Sequence, residues 1–415
     1  MPNDTWTISS VKIWVTAENS CSRITPASVS ATSMRVEYSS DIASIDAASW
    51  NEIAGDTNPF IQHDFLNALE QHDCLQQWGW YPQHCLLYDD DTLIGACPAY
   101  LKDNSYGEFV FDWAWADAYQ RNGLEYYPKL VTAIPFTPAQ GPRLLAHANY
   151  TDATGKQIPA ARIKTGLIDA LTAYAEKNSL SSAHFLFCED EDIALLSDAG
   201  LMLRYDYQYH WSNNGYSNFA DFLAALTSKR RKNIRRERRF VAEADIHILL
   251  IDGTDLNDQQ WELLYDYYRV TFMKKSGAAT LTLDFFKAMA HRILAIFAIH
   301  KNSTVAAAIC FKGRDKLYGR HWGCSESYDN LHFEVCYYSG IEYCIENKLQ
   351  VFEPGAQGEH KIWRGFLPTR TRSAHWIRDD AFKSAIKDFL HREAAAMEHH
   401  GELLSQSSPY RNETE

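Results

Sequence analysis

The sequence predicts two similar α/β domains in tandem, and three observations carry that expectation. Strand-like and helix-like segments alternate along most of the chain, as in mixed α/β architectures. The length of 415 residues corresponds to two or three domains at roughly 150 residues each. A shift of 212 residues then lays positions 86–107 over 298–319 without a gap. Both windows read strand, polar turn, strand and Tyr-Gly, with Thr92 and Thr304, Ala96 and Ala308, Tyr106 and Tyr318, and Gly107 and Gly319 identical. That repetition points to an internal duplication.

Residues 1–33 are rich in Ser, Thr and Asn and have no sustained period. They lack the basic start and apolar core of a signal peptide, so a disordered extension or an artefact of start-codon choice is expected. The first domain is expected over 34–212. It opens with a short strand and a helix from Met34, and a second helix follows Asn58-Pro59 with Phe60, Phe65, Leu66 and Leu69 on one side. Strands are expected at 84–88 and 92–101 about an Asp-rich turn, with a third at 107–113. Pro and Gly interrupt the pattern over 135–142. Helical spacing at 163–177, a strand at 184–188, a short helix at 191–199 and a strand at 203–211 complete this half.

The second domain, 213–400, repeats the grammar. A long helix spans 219–241, and Trp261, Leu264, Tyr265, Tyr268 and Phe272 form a helical stripe stopped by Gly277. Strands follow at 294–300, 304–311 and 316–323, then a helix at 332–347 and a strand at 350–353. A last strand at 374–377 precedes a closing helix at 380–397, and 401–415 is expected as a disordered tail.

Hydrophobic residues make up 46% and charged residues 22%, the balance of a folded globular chain. No stretch approaches the ~18 apolar residues of a membrane-spanning helix; 293–299 is apolar but closed by Arg292 and His300. Nine cysteines lie scattered, without a C-x-x-C pair or zinc-type spacing, and read as reduced core residues of a cytoplasmic protein. The net charge of −13 excludes a general nucleic-acid binder.

One block contradicts that acidity. KRRKNIRRERR, 229–239, holds eight basic residues and one acidic, for +7, so the rest of the chain sums to −20. Two readings fit: a surface helix that partly neutralises an acidic body, and a polyanion site for CoA phosphates, a nucleotide diphosphate or an RNA end. The second is favoured because cations cover most of the helix circumference. Replacing Arg231, Arg235 and Arg238 by Glu is then expected to leave folding intact and abolish binding of a phosphate-bearing ligand.

The densest polar cluster comes late. LYGRHWGC, 317–324, is a strand with Arg320 and Trp322 on one side and Tyr318 in alternation. VFEPGAQGEHKIWRGF, 351–366, gathers Glu353, Gln357, Glu359, His360, Lys361 and Arg364 in a Gly-rich turn after a strand. Open α/β sheets place ligand groups at such strand ends, so acid/base and anion-binding chemistry is expected there. No spacing among His332, Glu334, Glu359 and His360 supports a metal site. There is no phosphate-binding P-loop, dinucleotide fingerprint or nucleophile elbow. The aromatic run FVFDWAWADAY, 109–119, fits core packing, or a substrate-facing wall of Trp113 and Trp115.

NPFIQHDFLNALE, SYGEFVFDWAWADAY, PFTPAQGPRLL, SSAHFLF, KRRKNIRRERR, LYGRHWGC, LHFEVCYYSGIEYCI and EPGAQGEHKIWRGFLP together resemble the Fem-like peptidoglycan biosynthesis/recognition family of bacterial proteins, over about 34–397. The resemblance implies tandem domains of the GNAT (N-acetyltransferase) fold. It also implies transfer of an acyl group to an amine, from an acyl-CoA or an aminoacyl-tRNA. Such transfer needs a base for the amine, donors for the oxyanion and an acid for the leaving group. Glu334 and Glu353 are then the candidate bases, with His321, His360 and Glu359 behind them. Tyr318 or Tyr337 returns the proton, and Lys361 and Arg364 fall where the related aminoacyltransferases carry basic residues near a sugar's phosphates. The fold's glycine-rich pyrophosphate turn is poorly matched: SESYDN, 325–330, has no glycine and two acids, and PAQGPR, 138–143, has one glycine. The competing reading is a non-catalytic protein that recognises a peptidoglycan fragment or a nucleotide sugar.

Overall fold

The computed structural model describes residues 34–274, 277–356 and 358–411, so the expectation for 1–33 lies outside the described residues. In chain order the first half comprises β1 (Met34–Ser39), α1 (Ala47–Ala54), α2 (His63–Gln71), β2 (Trp80–Pro82), β3 (His84–Asp89), β4 (Thr92–Cys97) and β5 (Ala99–Lys102). It continues with α3 (Trp113–Arg121), β6 (Lys129–Thr132), three short strands β7 (Leu145–Ala146), β8 (Asn149–Thr151) and β9 (Gln157–Pro159), α4 (Ala160–Lys177), β10 (Ser182–Leu186), α5 (Asp190–Asp198) and β11 (Met202–Ser212). The second half opens with α6 (Phe219–Ala225), α7 (Ser228–Glu243), β12 (Ile246–Asp252), α8 (Asp258–Lys274), α9 (Leu283–Ala288), β13 (Ile293–His300), β14 (Ser303–Lys312) and β15 (Lys316–Cys324). It closes with α10 (Leu331–Phe333), α11 (Ser339–Glu346), β16 (Val351–Glu353), β17 (Leu367–Ile377) and α12 (Asp380–Ser405).

Strand register establishes the duplication more firmly than the sequence shift does. Hairpins β3–β4 and β13–β14 are both antiparallel, and each is interrupted by one bulge, after Leu87 in the first and after Ala298 in the second. Those positions lie 211 residues apart, so the 212-residue alignment is one residue out of register within the hairpin. A one-residue slip in a strand reverses every side chain. In each half the last antiparallel strand is followed by helix and then a parallel strand: β6 with β10, and β15 with β16.

The two halves then exchange strands. β11, from the first half, pairs with β16 of the second, while β17 of the second pairs with β10 of the first. β11 and β17 also pair with each other over nine residues, Met202 opposite His375 and His210 opposite Leu367. A shift of 165 residues maps this ladder onto itself and lays His210-Trp211 over His375-Trp376. The exchange fuses the halves into an eleven-stranded sheet, β12-β13-β14-β15-β16-β11-β17-β10-β6-β5-β2, beside a four-stranded sheet β1-β3-β4-β7. We propose 212/213 as the covalent boundary between the two domains.

Four expectations change in detail. Residues 107–113 are not a strand: Phe109 adopts φ +60, and the segment turns Glu108 and Asp112 inward while Phe109, Phe111 and Trp113 face outward. The long basic helix is broken at Leu226 and Thr227, which are extended; buried Leu226 bridges to Tyr410, and the Thr227 amide donates to the Pro409 carbonyl. The helix expected at 332–347 contains a π-helical turn at Glu334–Tyr338, a local widening that re-aims side chains. The tail expected from 401 instead continues α12 to Ser405, and the Tyr410 hydroxyl donates to the Gly365 carbonyl at 2.7 Å.

The core follows the sheet. Phe60, Phe65, Phe311, Tyr318 and Phe285 interlock edge to face and join the two halves on one side of β15. On the other side α11 approaches β16 so closely that a Cβ on Gly340 would lie 2.3 Å from the Phe352 ring. Eight cysteines among the described residues are free, six of them buried. No helix of the described residues is long and apolar enough to cross a membrane.

Candidate functional site

Parallel strands β15 and β16 stay paired for only three residues, Lys316 with Val351, Leu317 with Phe352 and Tyr318 with Glu353. Beyond the last pair β16 ends and Pro354 and Gly355 turn away. The gap holds a cavity of about 10 Å³, room for about one water, lined by Pro138, Ala139, Gln208, Tyr318, Arg320, Glu353 and Gly355. Three of the expected residues, Tyr318, Arg320 and Glu353, therefore converge. The loop 135–142 of the first half supplies the opposite wall, and Arg320 donates to its Phe136 carbonyl at 2.5 Å.

Glu353 is buried, and its Oε1 has no hydrogen-bond partner. Lys316 Nζ lies 3.5 Å from Oε1, and His210 Nε2 lies 3.8 Å from Oε2. Burial holds the His210 imidazole below its ordinary pKa despite the Glu353 charge, so the ring is neutral at pH 7. Tyr318 is the reverse case. Burial, then the Glu353 carboxylate, pushes its hydroxyl well above the usual phenol value, so it keeps its proton. Arg320 is lowered to about 10 by burial and remains a cation at neutral pH. A buried carboxylate with a free oxygen, a protonated phenol and a guanidinium thus face one gap: an acceptor and two donors.

Lys361 and Arg364 lie on the helical turn Glu359–Arg364 beside this gap. Lys361 Nζ donates to the Gly355 carbonyl at 2.7 Å, and burial lowers its pKa to about 8. Arg364 is committed elsewhere: it grips Glu237, the single acid of the basic block, through two hydrogen bonds and stacks on Phe333. Gln357 lies outside the described residues.

The remaining expectations separate. Glu334 is buried in the π-helical turn with both oxygens accepting from Arg238, which also donates to Glu342 at 2.8 Å. Burial raises its pKa. It stands in an ion pair, apart from the gap, so Glu334 and Arg238 serve each other. His321 packs against Tyr268, Phe286 and Phe272, and burial drives its imidazole well below the ordinary value. The bulge between Ile309 and Cys310 puts His321 on the same core face as Tyr318, a face change that simple alternation misses. His360 accepts or donates with the Tyr337 hydroxyl at 2.9 Å, and exposed Glu359 lies 3.6 Å from His400. Among the described residues no group of three or more acidic, His or Cys side chains could hold a metal.

On α7, Arg238 is not available to a ligand, whereas Lys229, Lys232, Arg235 and Arg236 are exposed and Arg231 touches only Ser228, at 3.3 Å. The triple Glu substitution therefore separates into two results. Arg235→Glu is expected to unfold at the wild-type urea midpoint. Arg238→Glu sets a third carboxylate against Glu334 and Glu342 and is expected to destabilise the fold by roughly 3–5 kcal/mol.

Trp115 is buried, edge-on to His375 with ring centres 5.0 Å apart, and belongs to the core. Trp113 is 45% exposed. Trp115 roofs a polar network that the sequence reading missed. Lys129 Nζ donates to Glu108, to Asp112 and to Ser105, all buried. The Tyr126 hydroxyl donates to Asp112 at 2.7 Å and lies 3.1 Å from His184 Nε2. His184 Nδ1 meets His375 Nδ1 at 2.7 Å, and His375 Nε2 meets Ser373 Oγ at 2.9 Å. His210 and His375 are equivalent by the 165-residue shift, as are Gln208 and Ser373. The paired His210-Trp211 and His375-Trp376 dipeptides were the available signal.

The turns that would cradle a CoA pyrophosphate do not fit it. Arg143 of PAQGPR is buried, with its guanidinium spent on the carbonyls of Leu186, Pro142 and Ala139. The turn before α10 presents Glu326 and Asp329.

Among known proteins, the model of a family described as peptidoglycan biosynthesis/recognition, FemAB-like, matches residues 41–412. No curated protein matches. Among solved structures the chain is similar to the C-terminal DUF2156 domain of a protein from Agrobacterium fabrum assigned as a lysylphosphatidylglycerol synthetase. That similarity has 9% identity and a TM-score of 0.50, covering 84% of this chain and 96% of that one. FemX is also similar, at 8% identity and a TM-score of 0.47, covering 82% of this chain and 98% of FemX. So is a tandem GNAT protein from the clavulanic acid biosynthesis pathway, at 8% identity and a TM-score of 0.45, covering 83% of this chain and 98% of that one. The first of these similarities speaks for the fold alone.

Proposed function

Since the chain belongs to the FemAB-like family of peptidoglycan biosynthesis/recognition proteins, with two GNAT-like domains in tandem, we propose that it transfers an acyl or aminoacyl group to an amine of a cell-wall precursor or related metabolite. The observation that carries this reading is the Tyr318–Glu353 pair at the parting of β15 and β16. Glu353 takes a proton from the acceptor ammonium, and the freed nitrogen attacks the donor's carbonyl carbon. Arg320 faces the oxyanion that develops. As the intermediate collapses, the bond to the thiolate or ribose oxygen breaks, and Tyr318 supplies the proton that the leaving group takes. Lys361, and the exposed cations of α7 beyond it, favour phosphate on the donor or acceptor.

The mismatch of both pyrophosphate turns favours an aminoacyl ester over a CoA thioester as donor. Thermal unfolding in the presence of acyl-CoAs, aminoacyl-tRNA and UDP-sugar peptides tests the choice. A ligand at 100 times its dissociation constant stabilises by about 2.7 kcal/mol, so a true donor raises the melting temperature by several degrees. Aminoacyl-tRNA is expected to do so. A shift with acyl-CoA alone would reverse the donor assignment. A shift with UDP-sugar peptide and no donor would support the recognition reading instead.

A further inference from the structure

The largest cavity among those found, about 120 Å³, lies away from the β15–β16 gap. It sits on the crossing of β11 and β17, under α12 and the loop 109–111. We propose that it is a site for an organic ammonium ion carrying an apolar or aromatic body. The inference goes beyond the transfer reaction and stands on binding alone.

The direction of the buried hydrogen bonds fixes what the cavity floor offers. Asp112 is held ionised, well below the ordinary carboxyl pKa: Lys129, then His184, outweigh the burial that would raise it. A carboxylate only accepts, so Tyr126 gives it its single proton. Facing the phenol oxygen, His184 Nε2 must carry the hydrogen, which leaves Nδ1 bare. His375 Nδ1 must then donate to it, and His375 Nε2 accepts from Ser373. Each contact in the chain is satisfied in this sense; the reverse sense would set His184 Nε2 and the Tyr126 oxygen lone pair to lone pair. Ser373 lines the cavity and has sent its only proton inward. Toward a ligand it presents lone pairs, so the ligand must bring a donor.

Charge selects the donor. Two guanidinium groups line the cavity, and each is already neutralised: Arg204 by a two-bonded contact to Glu393, Arg372 by Asp190. Asp206 is left. Among the described residues it forms no ion pair, and its one hydrogen bond is from the Tyr207 amide. Burial raises its carboxyl above the ordinary value, the state that an arriving ammonium relieves. The rim supplies the apolar contact. Phe109 and Phe111 line the cavity at 40% and 54% exposure, and Tyr106 and Trp113 beside them are 60% and 45% exposed. Four aromatic rings face solvent where two carboxylates, Glu108 and Asp112, are buried, an inversion that folding alone does not call for. Aromatic faces attract organic cations.

The test uses the full chain with n-butylammonium, 1-butanol and butyrate as probes, followed by calorimetry. The ammonium is expected to bind about tenfold or more tightly than the alcohol, a difference of about 1.4 kcal/mol. Asp206→Asn, at an exposed position, is expected to erase that preference, and Phe111→Ala to weaken both probes alike. Equal affinity for ammonium and alcohol, tighter binding of butyrate, or a preference that survives Asp206→Asn would overturn the assignment.

Discussion

Glu353→Gln is expected to lower amide formation by about 10²–10⁴-fold while the protein melts close to the wild-type temperature. Gln fills the same space below the β15–β16 parting and cannot take a proton. Glu353 is the carboxylate that the fold leaves with a buried, unpartnered oxygen beside the gap, whereas Glu334 spends both oxygens on Arg238. Glu334→Gln should therefore act on stability and leave the pH profile of transfer unchanged. Rate measurements on the two variants at equal donor saturation separate these roles. If Glu334→Gln loses transfer and Glu353→Gln keeps it, the base has been misassigned.

Lys129→Met is expected to destabilise the fold by about 3–5 kcal/mol in urea unfolding, the usual penalty for leaving a buried charge without its partner. Its ammonium is the cation between two buried carboxylates, Glu108 and Asp112. Removing all three charges together, with Glu108→Gln and Asp112→Asn added, should recover much of the loss, because an apolar or neutral set has no charge to strand. Glu108 also sets a pH dependence. Its carboxyl is pushed up to about 7, by burial above all and by Asp112, against the pull of Lys129. Between about 4.5 and 7 the folded state therefore holds a proton that the unfolded state has lost, and stability falls as pH rises through that window. Glu108→Gln should flatten that slope.

The alternation of strands and helices was legible because each element carries its own hydrophobic period. The hairpin turns at Asp90 and Asn302, both at positive φ, were marked by polar residues. The exchange of β11 and β17 was not legible. Its partners lie 165 residues apart, and a fully buried strand shows no alternation that names its neighbour. The 212-residue alignment found the right hairpin but counted through a bulge, and the clearer repeat, His210-Trp211 with His375-Trp376, fell beyond the reach of an ungapped shift. At the site, Glu353, Tyr318 and Arg320 were found because polar groups ended an apolar strand. Lys316, His210 and Gln208 were not: each comes from a strand whose side chains look ordinary until β11 crosses to the other half. Lys129 was hidden for a similar reason. Glu108 and Asp112 sit in an aromatic run whose rings draw the eye to the core, yet it is the acids that face inward.

The central claim is transfer to an amine, and one measurement addresses it most directly. The full chain is incubated with a donor labelled in its acyl or aminoacyl group and with amine-bearing cell-wall precursors, and the product is treated with hydroxylamine. The account predicts label in a hydroxylamine-resistant amide, formed by the wild type and lost in Glu353→Gln. Donor binding without any amide product would contradict it and leave a protein that recognises its ligand without transforming it.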